Sequence, residues 1–350
     1  MLSTLIITTA FSASAAEVTD LPPQWRGDVR IAYDATVIPD SLREQETIVG
    51  SRRTVMHDVT YSGTFGFTDY FAMSLTLPQQ ASSRIGFTDM NQMAYDPIQK
   101  TGTMLGTDAA ENSSTSGSGM GGVWVRFLGT PMSETVFAER GDQISWLLGL
   151  GYQFPDSTSL WNSATTDGAG PASPAFEFTS VWSTANNMTE PYIGLVWTHR
   201  FFTTVNIGDA VVNVKDPSQL DIKAGMEILI LEDPDFANGL GTELAIDLHA
   251  TFGHQSWGDG TSGVQLSGAL PITRAQTVTQ GETNSLWGGF DLRWRAVRYL
   301  DWTISTEFGA PFGRRLEHPY SVSSATDSKV GWKMGTALTF RMRDPLFDKR

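Results

Sequence analysis

The one His-Ser-Asp arrangement worth weighing is His254-Gln255-Ser256 with Asp259 close behind. A histidine beside a hydroxyl, oriented by a carboxylate, is the minimum set for nucleophilic hydrolysis. The same residues also describe a polar loop following a strand, and that reading outweighs the catalytic one. The other histidines, His57, His199, His249 and His318, stand in no such company, and no Gly-x-Ser-x-Gly, Walker A or His-Glu-x-x-His motif occurs. Glu232-Asp233-Pro234-Asp235 with Asn238 crowds carboxylates as a Ca²⁺ site would, but lacks full EF-hand spacing. A polar turn running into Gly239-Leu240-Gly241 explains it without metal. The chain has no cysteine, which excludes disulfides and thiolate chemistry. No catalytic residue, metal ligand or cofactor is therefore assigned, and the expected class is not an enzyme.

The remaining chemistry-bearing residues are charges that recur at alternate positions. Leu244, Ile246, Leu248, Ala250 and Phe252 alternate with Glu243, Asp247, His249 and Thr251. Phe290, Leu292, Trp294 and Ala296 alternate with Asp291, Arg293 and Arg295. Ile222 to Ile230 interleaves with Asp221, Lys223, Gly225 and Glu227, and Trp302, Ile304 and Phe308 with Asp301, Thr303, Ser305 and Glu307. A period of two, apolar on one face and charged on the other, is a strand between lipid and a polar interior. Weaker runs with the same character are Trp25–Ala35, Val55–Phe67, Tyr70–Leu77, Gly122–Leu128, Ile144–Phe154, Ala175–Thr184, Tyr192–Phe201 and Val330–Arg341.

These runs predict an all-β fold: a closed antiparallel transmembrane barrel of about 12 strands, 14 at most, each long enough to cross a bilayer. Polar spans at 37–53, 78–121, 155–173, 203–218, 254–284 and 311–328 read as long extracellular loops. Links at 68–69, 129–143, 185–191, 231–240 and 297–300 read as short periplasmic turns, with a short helix or strand extension expected inside 129–143. The low-complexity stretch 107–119 is expected to be mobile, and Phe87 to Met104 is the first candidate for a loop that narrows the lumen. Aromatics such as Trp25, Tyr33, Phe71, Tyr152, Trp294 and Trp302 gather near strand ends, as interfacial girdles do.

By parity, Arg26, Asp28, Arg30, Asp58, Arg126, Glu177, Lys223, Glu227, Asp247, His249, Asp291, Arg293, Arg295, Glu307 and Lys333 line the lumen. Arg200, Asp221, Glu243, Asp301 and Arg341 belong to the same set. Both signs are present, so either a salt-bridged ladder fills the interior or a hydrated path is lined by paired charges. For Arg293 and Arg295 the expected partners are Glu307 or Asp301 on the next strand.

Bulk properties fit. The net charge of −14 carries no basic footprint for nucleic acid. No run of apolar residues is long enough for a membrane helix. The apolar Leu2 to Phe11 followed by Ser12-Ala13-Ser14-Ala15-Ala16 reads as an export signal. The expected layout is a signal peptide at 1–16, a periplasmic lead at 17–24, the barrel at 25–343 and a periplasmic tail at 344–350. The expected place is the Gram-negative outer membrane, the expected partners its lipid, lipopolysaccharide and a small solute.

The strand-turn-strand Tyr61 to Pro78, with Gly66-Phe67-Thr68-Asp69 at the turn and a closing Leu77-Pro78, resembles the early hairpin of a known group. Gly119-Met120-Gly121-Gly122-Val123-Trp124, the run Ile144 to Pro155, Gly168-Ala169-Gly170-Pro171 and Pro191-Tyr192-Ile193-Gly194 continue its order. The group is the outer-membrane transporters associated with meta-pathway phenol degradation, distantly akin to the fatty-acid and toluene channels. The resemblance implies a channel for passive movement of small, apolar or aromatic molecules. The alternatives are a barrel enzyme acting on lipid or peptide and a largely closed structural barrel. Few residues separate the cleavage site from Trp25, too few for an N-terminal hatch like that of the fatty-acid channels.

Overall fold

The structure, a computed structural model, describes residues 21–44, 47–88, 114–133, 144–155, 173–184, 186, 188–207, 210–215, 217–233, 242–256, 258–263, 277–280, 282–297, 299–312, 315–318 and 321–342. The described elements are all strands. β1 (Gly27–Glu44), β2 (Thr47–Thr68) and β3 (Phe71–Thr88) are three long staves. The fourth stave is broken, with β4 (Ser114–Met120) leading into β5 (Trp124–Met132). Single strands follow as β6 (Ser145–Gln153), β7 (Ala175–Ser183) and β8 (Thr189–Arg200). A separate hairpin of β9 (Thr203–Ile207) and β10 (Ala210–Val214) precedes β11 (Gln219–Glu232). β12 (Glu243–Gln255) continues into β13 (Gly258–Gly263), and β14 (Thr277–Gln280) into β15 (Thr283–Val297). Likewise β16 (Leu300–Phe312) continues into β17 (Arg315–His318), and β18 (Ser321–Ser328) into β19 (Gly331–Met342).

Each stave is antiparallel to its neighbours, and the first pairs with the last from Gly27↔Met342 to Val37↔Trp332. The result is a closed barrel of 12 staves. Closure pairs each of the 12 described staves on both sides, the condition for a sheet to survive in hydrocarbon.

Parity decides what each face meets. Val29, Ile31, Phe127, Leu150, Ile193, Leu248, Phe290 and Leu338 are exposed, while the inward-facing Ala32, Arg126, Asp247, Asp291 and Ala337 beside several of them are buried. The exposed apolar band is the lipid face, and the sheet belongs in the outer membrane. Indoles at the short-turn end keep their N–H satisfied across strands. Trp294 Nε1 donates to Thr242 Oγ1 at 2.8 Å, Trp302 Nε1 to Thr336 Oγ1 at 2.7 Å and Trp146 Nε1 to Ser180 Oγ at 2.9 Å. Rings with one apolar face and one satisfied polar tip suit the headgroup boundary.

Several spans read as loops are strands. Pairing between β1 and β2 runs from Gly27↔Phe65 to Glu44↔Thr47, so 37–53 is an extended hairpin rather than a loop. β4, which takes in 114–119 of the low-complexity stretch, pairs with β3, and the span 203–218 contains the β9–β10 hairpin. β13, β14, β17 and β18 likewise occupy parts of 254–284 and 311–328. Beyond the bilayer both faces meet water, so apolar alternation lapses while the backbone ladder continues. β5 extends to Met132 inside the 129–143 link. The constriction candidate Phe87 to Met104, the remainder of 107–119 and the Pro234 to Gly241 part of the carboxylate turn lie outside the described residues, apart from Phe87 and Thr88 in β3.

The described part of the lead, from Leu21, packs against the barrel. Pro22 is fully buried, and Leu21 packs on an interior cluster of Leu128, Leu147, Val181 and Tyr192. The strap is pinned at β2: Trp25 N donates to Gly66 O at 2.8 Å, and Gly66 N to Arg26 O at 2.8 Å. Gly66 has no side chain for a reason, since a Cβ there would overlap the carbonyls of Pro22 and Pro23.

Candidate functional site

The inward faces of the staves form the candidate site, and they are not alike around the ring. At the short-turn end, β11, β12, β15, β16 and β19 carry an alternating chain of charges. Arg293 Nη2 donates to Glu227 Oε1 at 2.5 Å and to Glu243 Oε1 at 2.8 Å. Arg295 Nη1 donates to Glu243 Oε2 at 3.0 Å, and its Nε to Asp301 Oδ1 at 2.8 Å. Arg341 Nε closes the chain on Asp301 Oδ2 at 2.6 Å. Three guanidinium groups alternate with three carboxylates, so the ladder is neutral. Asp301 serves Arg295 as expected, but Arg293 turns the other way, to Glu227 and Glu243, rather than to Glu307. The direction follows from register: Glu243 opposes Arg295 across β12–β15, two residues from Arg293 on the same face.

Higher in the wall a second network centres on His249. Its Nε2 lies 3.1 Å from Glu307 Oε1, and Lys333 Nζ holds Glu307 Oε2 at 3.0 Å. Its Nδ1 lies 3.4 Å from Asp247 Oδ2. Tyr192 donates its hydroxyl to the same Asp247 Oδ2 at 2.8 Å, and Lys223 Nζ stands 3.9 Å from it. Tyr192 reaches Asp247 by crossing Gly225 on the intervening strand, where a Cβ would stand 2.6 Å from its hydroxyl oxygen.

The third group belongs to β5 and β7. Arg126 grips Glu177 through Nε–Oε1 at 2.6 Å and Nη2–Oε2 at 3.0 Å, and its Nη1 donates to Thr76 Oγ1 at 3.1 Å. Its guanidinium also lies over the inward Trp124 ring at 4.7 Å. A two-pronged, buried pair of this kind is stabilising only while both partners are present. Glu177→Leu is expected to lower the unfolding midpoint in detergent, and Arg126→Met with Glu177→Leu to lower it less. A double-mutant cycle should return a coupling of about 1–3 kcal/mol.

The other sequence-derived candidates divide between half-buried positions, Arg26, Asp28, Arg30 and Asp58, and the buried Arg200 and Asp221. Asp28 opposes Arg341 and Thr64 in register, and Arg30 opposes Thr339 and Ser62. Asp58 faces Asp34 directly, and Arg26 lies just ahead of β1, half-buried. Arg200 Nη1 donates to Gln153 Oε1 at 2.9 Å, and Gln219 Nε2 to Asp221 Oδ2 at 2.6 Å. Of the His254 arrangement, His254 Nδ1 pairs with Asn284 Oδ1 at 2.9 Å and Ser256 Oγ accepts the Ser218 amide at 3.1 Å, while the side chain of Asp259 lies outside the described residues. Sequence reasoning missed the interior apolar and aromatic surface. Leu128, Leu147, Val181 and Tyr192 occupy inward positions near the short-turn end, and Trp287 packs on Ile38 with Lys333 over its ring at 4.1 Å. Departures from alternation, such as Trp287 between Leu286 and Gly288, were the available signal.

No family model and no curated protein matches the sequence. Among solved structures, an outer membrane channel from Pseudomonas putida F1 matches with a TM-score of 0.52 at 13% identity, covering 92% of this chain and 98% of that one. A toluene transporter from P. putida matches at a TM-score of 0.37 and 10% identity, covering 95% of each chain. A FadL homologue from Pseudomonas aeruginosa matches at 0.39 and 10%, covering 95% of this chain and 94% of that one. The last two are too distant to add to the assignment. The first agrees with the closed ring of staves and with the architecture that the sequence resemblance implies. By fold, the chain is a closed outer-membrane β-barrel of 12 staves, similar to that solved structure.

Proposed function

We propose that this barrel is a passive channel for small solutes with an apolar or aromatic body. The observation that carries the reading is the divided inner wall. One arc is a neutral ladder of paired charges; the other presents Leu128, Leu147, Val181 and Tyr192. A buried apolar patch on the inner wall offers an apolar body a surface to rest on. Leu21 already rests on that patch, an apolar side chain seated where a solute of like character would dwell. Lipid is the partner of the outer face, with lipopolysaccharide at the long-loop rim.

The test is uptake by cells with the gene deleted and restored, comparing a small aromatic alcohol with a sugar of similar mass. Restoration is expected to speed entry of the aromatic solute several-fold. Leu147→Asn should forfeit most of that gain at equal barrel content in the membrane. Equal uptake with and without the gene, together with silence in planar bilayers, would sink the proposal. Lipid hydrolysis lost on replacing His254 or Ser256 would favour an enzyme instead.

A further inference from the structure

Asp247 and Asp291 stand directly opposite each other across β12 and β15, both buried. Carboxylates facing each other across a strand pair repel unless a cation lies between them. His249 is two residues along from Asp247, on the same face, with its side chain 1% exposed. Across from it is Gly289, which leaves the imidazole room to reach β16. There Glu307 Oε1 takes Nε2 at 3.1 Å and is itself held by Lys333. A carboxylate bound to one ring nitrogen fixes the N–H there and leaves the other nitrogen as a lone pair. Metal-binding histidines are oriented in this way.

That other nitrogen points at the two aspartates. Asp247 Oδ1, His249 Nδ1 and Asp291 Oδ1 are all buried and have no hydrogen-bond partner. Each of the three residues offers a donor atom within 4.8 Å of the others'. Around a tetrahedral ion with bonds of ~2.1 Å, donor atoms stand about 3.4 Å apart, within reach of small side-chain rotations. Buried polar atoms without partners are rare, and His249 Nδ1 stands 3.4 Å from Asp247 Oδ2 and 4.0 Å from Asp291 Oδ2, which brings the three residues together across the two strands. Tyr192 and Lys223 hold Asp247 at Oδ2, the oxygen beside His249 Nδ1, and leave Oδ1 without a hydrogen bond.

We propose that Asp247, His249 and Asp291 bind one divalent transition cation in the barrel wall, with zinc the best match. Two carboxylates neutralise its charge, and one imidazole with two oxygens is a three-ligand set that leaves a fourth position for water on the lumen side. Glu307 is a positioning residue, acting on the ion through the imidazole. The bound ion ties β12 to β15 where like charges would otherwise push them apart.

The full-length protein, extracted into detergent and stripped with a chelator, is titrated with Zn²⁺ and separately with Co²⁺. One equivalent is expected to bind, with visible Co²⁺ absorption and a raised unfolding midpoint in Zn²⁺. Asp291→Asn relieves the repulsion, so the stripped variant should melt no lower than wild type while losing the one-equivalent binding. Glu307→Gln should weaken binding by about 10–100-fold without abolishing it. No saturable binding in wild type, or binding that survives both Asp247→Asn and Asp291→Asn, overturns the assignment.

Discussion

Replacing Arg293 with alanine is expected to lower the unfolding free energy by about 3–5 kcal/mol, the range for breaking a buried ion pair. The side chains of Arg293, Glu227 and Glu243 are 10%, 10% and 13% exposed, so none can turn to bulk water for relief. Glu243 keeps Arg295, but Glu227 loses the guanidinium that reaches it from β15. Glu227→Gln in the Arg293→Ala background should therefore restore part of the loss. A pair in a hydrated path would be worth only about 0–1 kcal/mol. The measurement is the temperature at which the unboiled, faster-migrating form disappears on a gel, supported by tryptophan emission. An unmoved midpoint with ion preference shifted toward cations would make the ladder a selectivity element instead.

Leu248→Arg should fail in the opposite environment. Leu248 lies near the middle of β12 and points outward, 46% exposed, between the inward Asp247 and His249. An arginine on the lipid face near the bilayer midplane costs about 2–4 kcal/mol. Folding into lipid vesicles is expected to drop sharply, while Leu248→Ala folds nearly as wild type. Detergent micelles, which deform around a charge, should mask much of the difference. Wild-type folding yield in vesicles would mean that the parity of β12 is reversed, and with it the inward placement of Asp247 and His249.

Parity was the part of this molecule most open to reading. Leu244 to Phe252 and Phe290 to Ala296 each declare two faces without reference to any other strand. The extended hairpin of β1 and β2 was not open in the same way. Ser51-Arg52-Arg53-Thr54 has the composition of a loop because no lipid asks for apolar residues there, yet its backbone pairs through Arg53↔Pro39 and Ser51↔Ser41. Register was hidden for a different reason. β12 ends at Gln255 and β15 begins at Thr283, and nothing in the intervening sequence fixes how the two strands slide. Charged residues could be placed on the inner face, but Asp247 could not be set against Asp291, nor Arg293 against Glu243. The donor set in the wall and the direction of the ladder both depend on that single offset.

The strap at the start of the described chain bears on the order of assembly. Leu21 touches side chains more than a hundred residues away, carried by β5 to β8, whereas Trp25 and Arg26 need only β2. Contacts so distant along the chain form late, after the loop they close has been ordered by other means. The surface that receives Leu21 exists only once four consecutive staves stand side by side. Seating of the strap therefore follows the pairing of β5 to β8 and belongs to the later part of assembly.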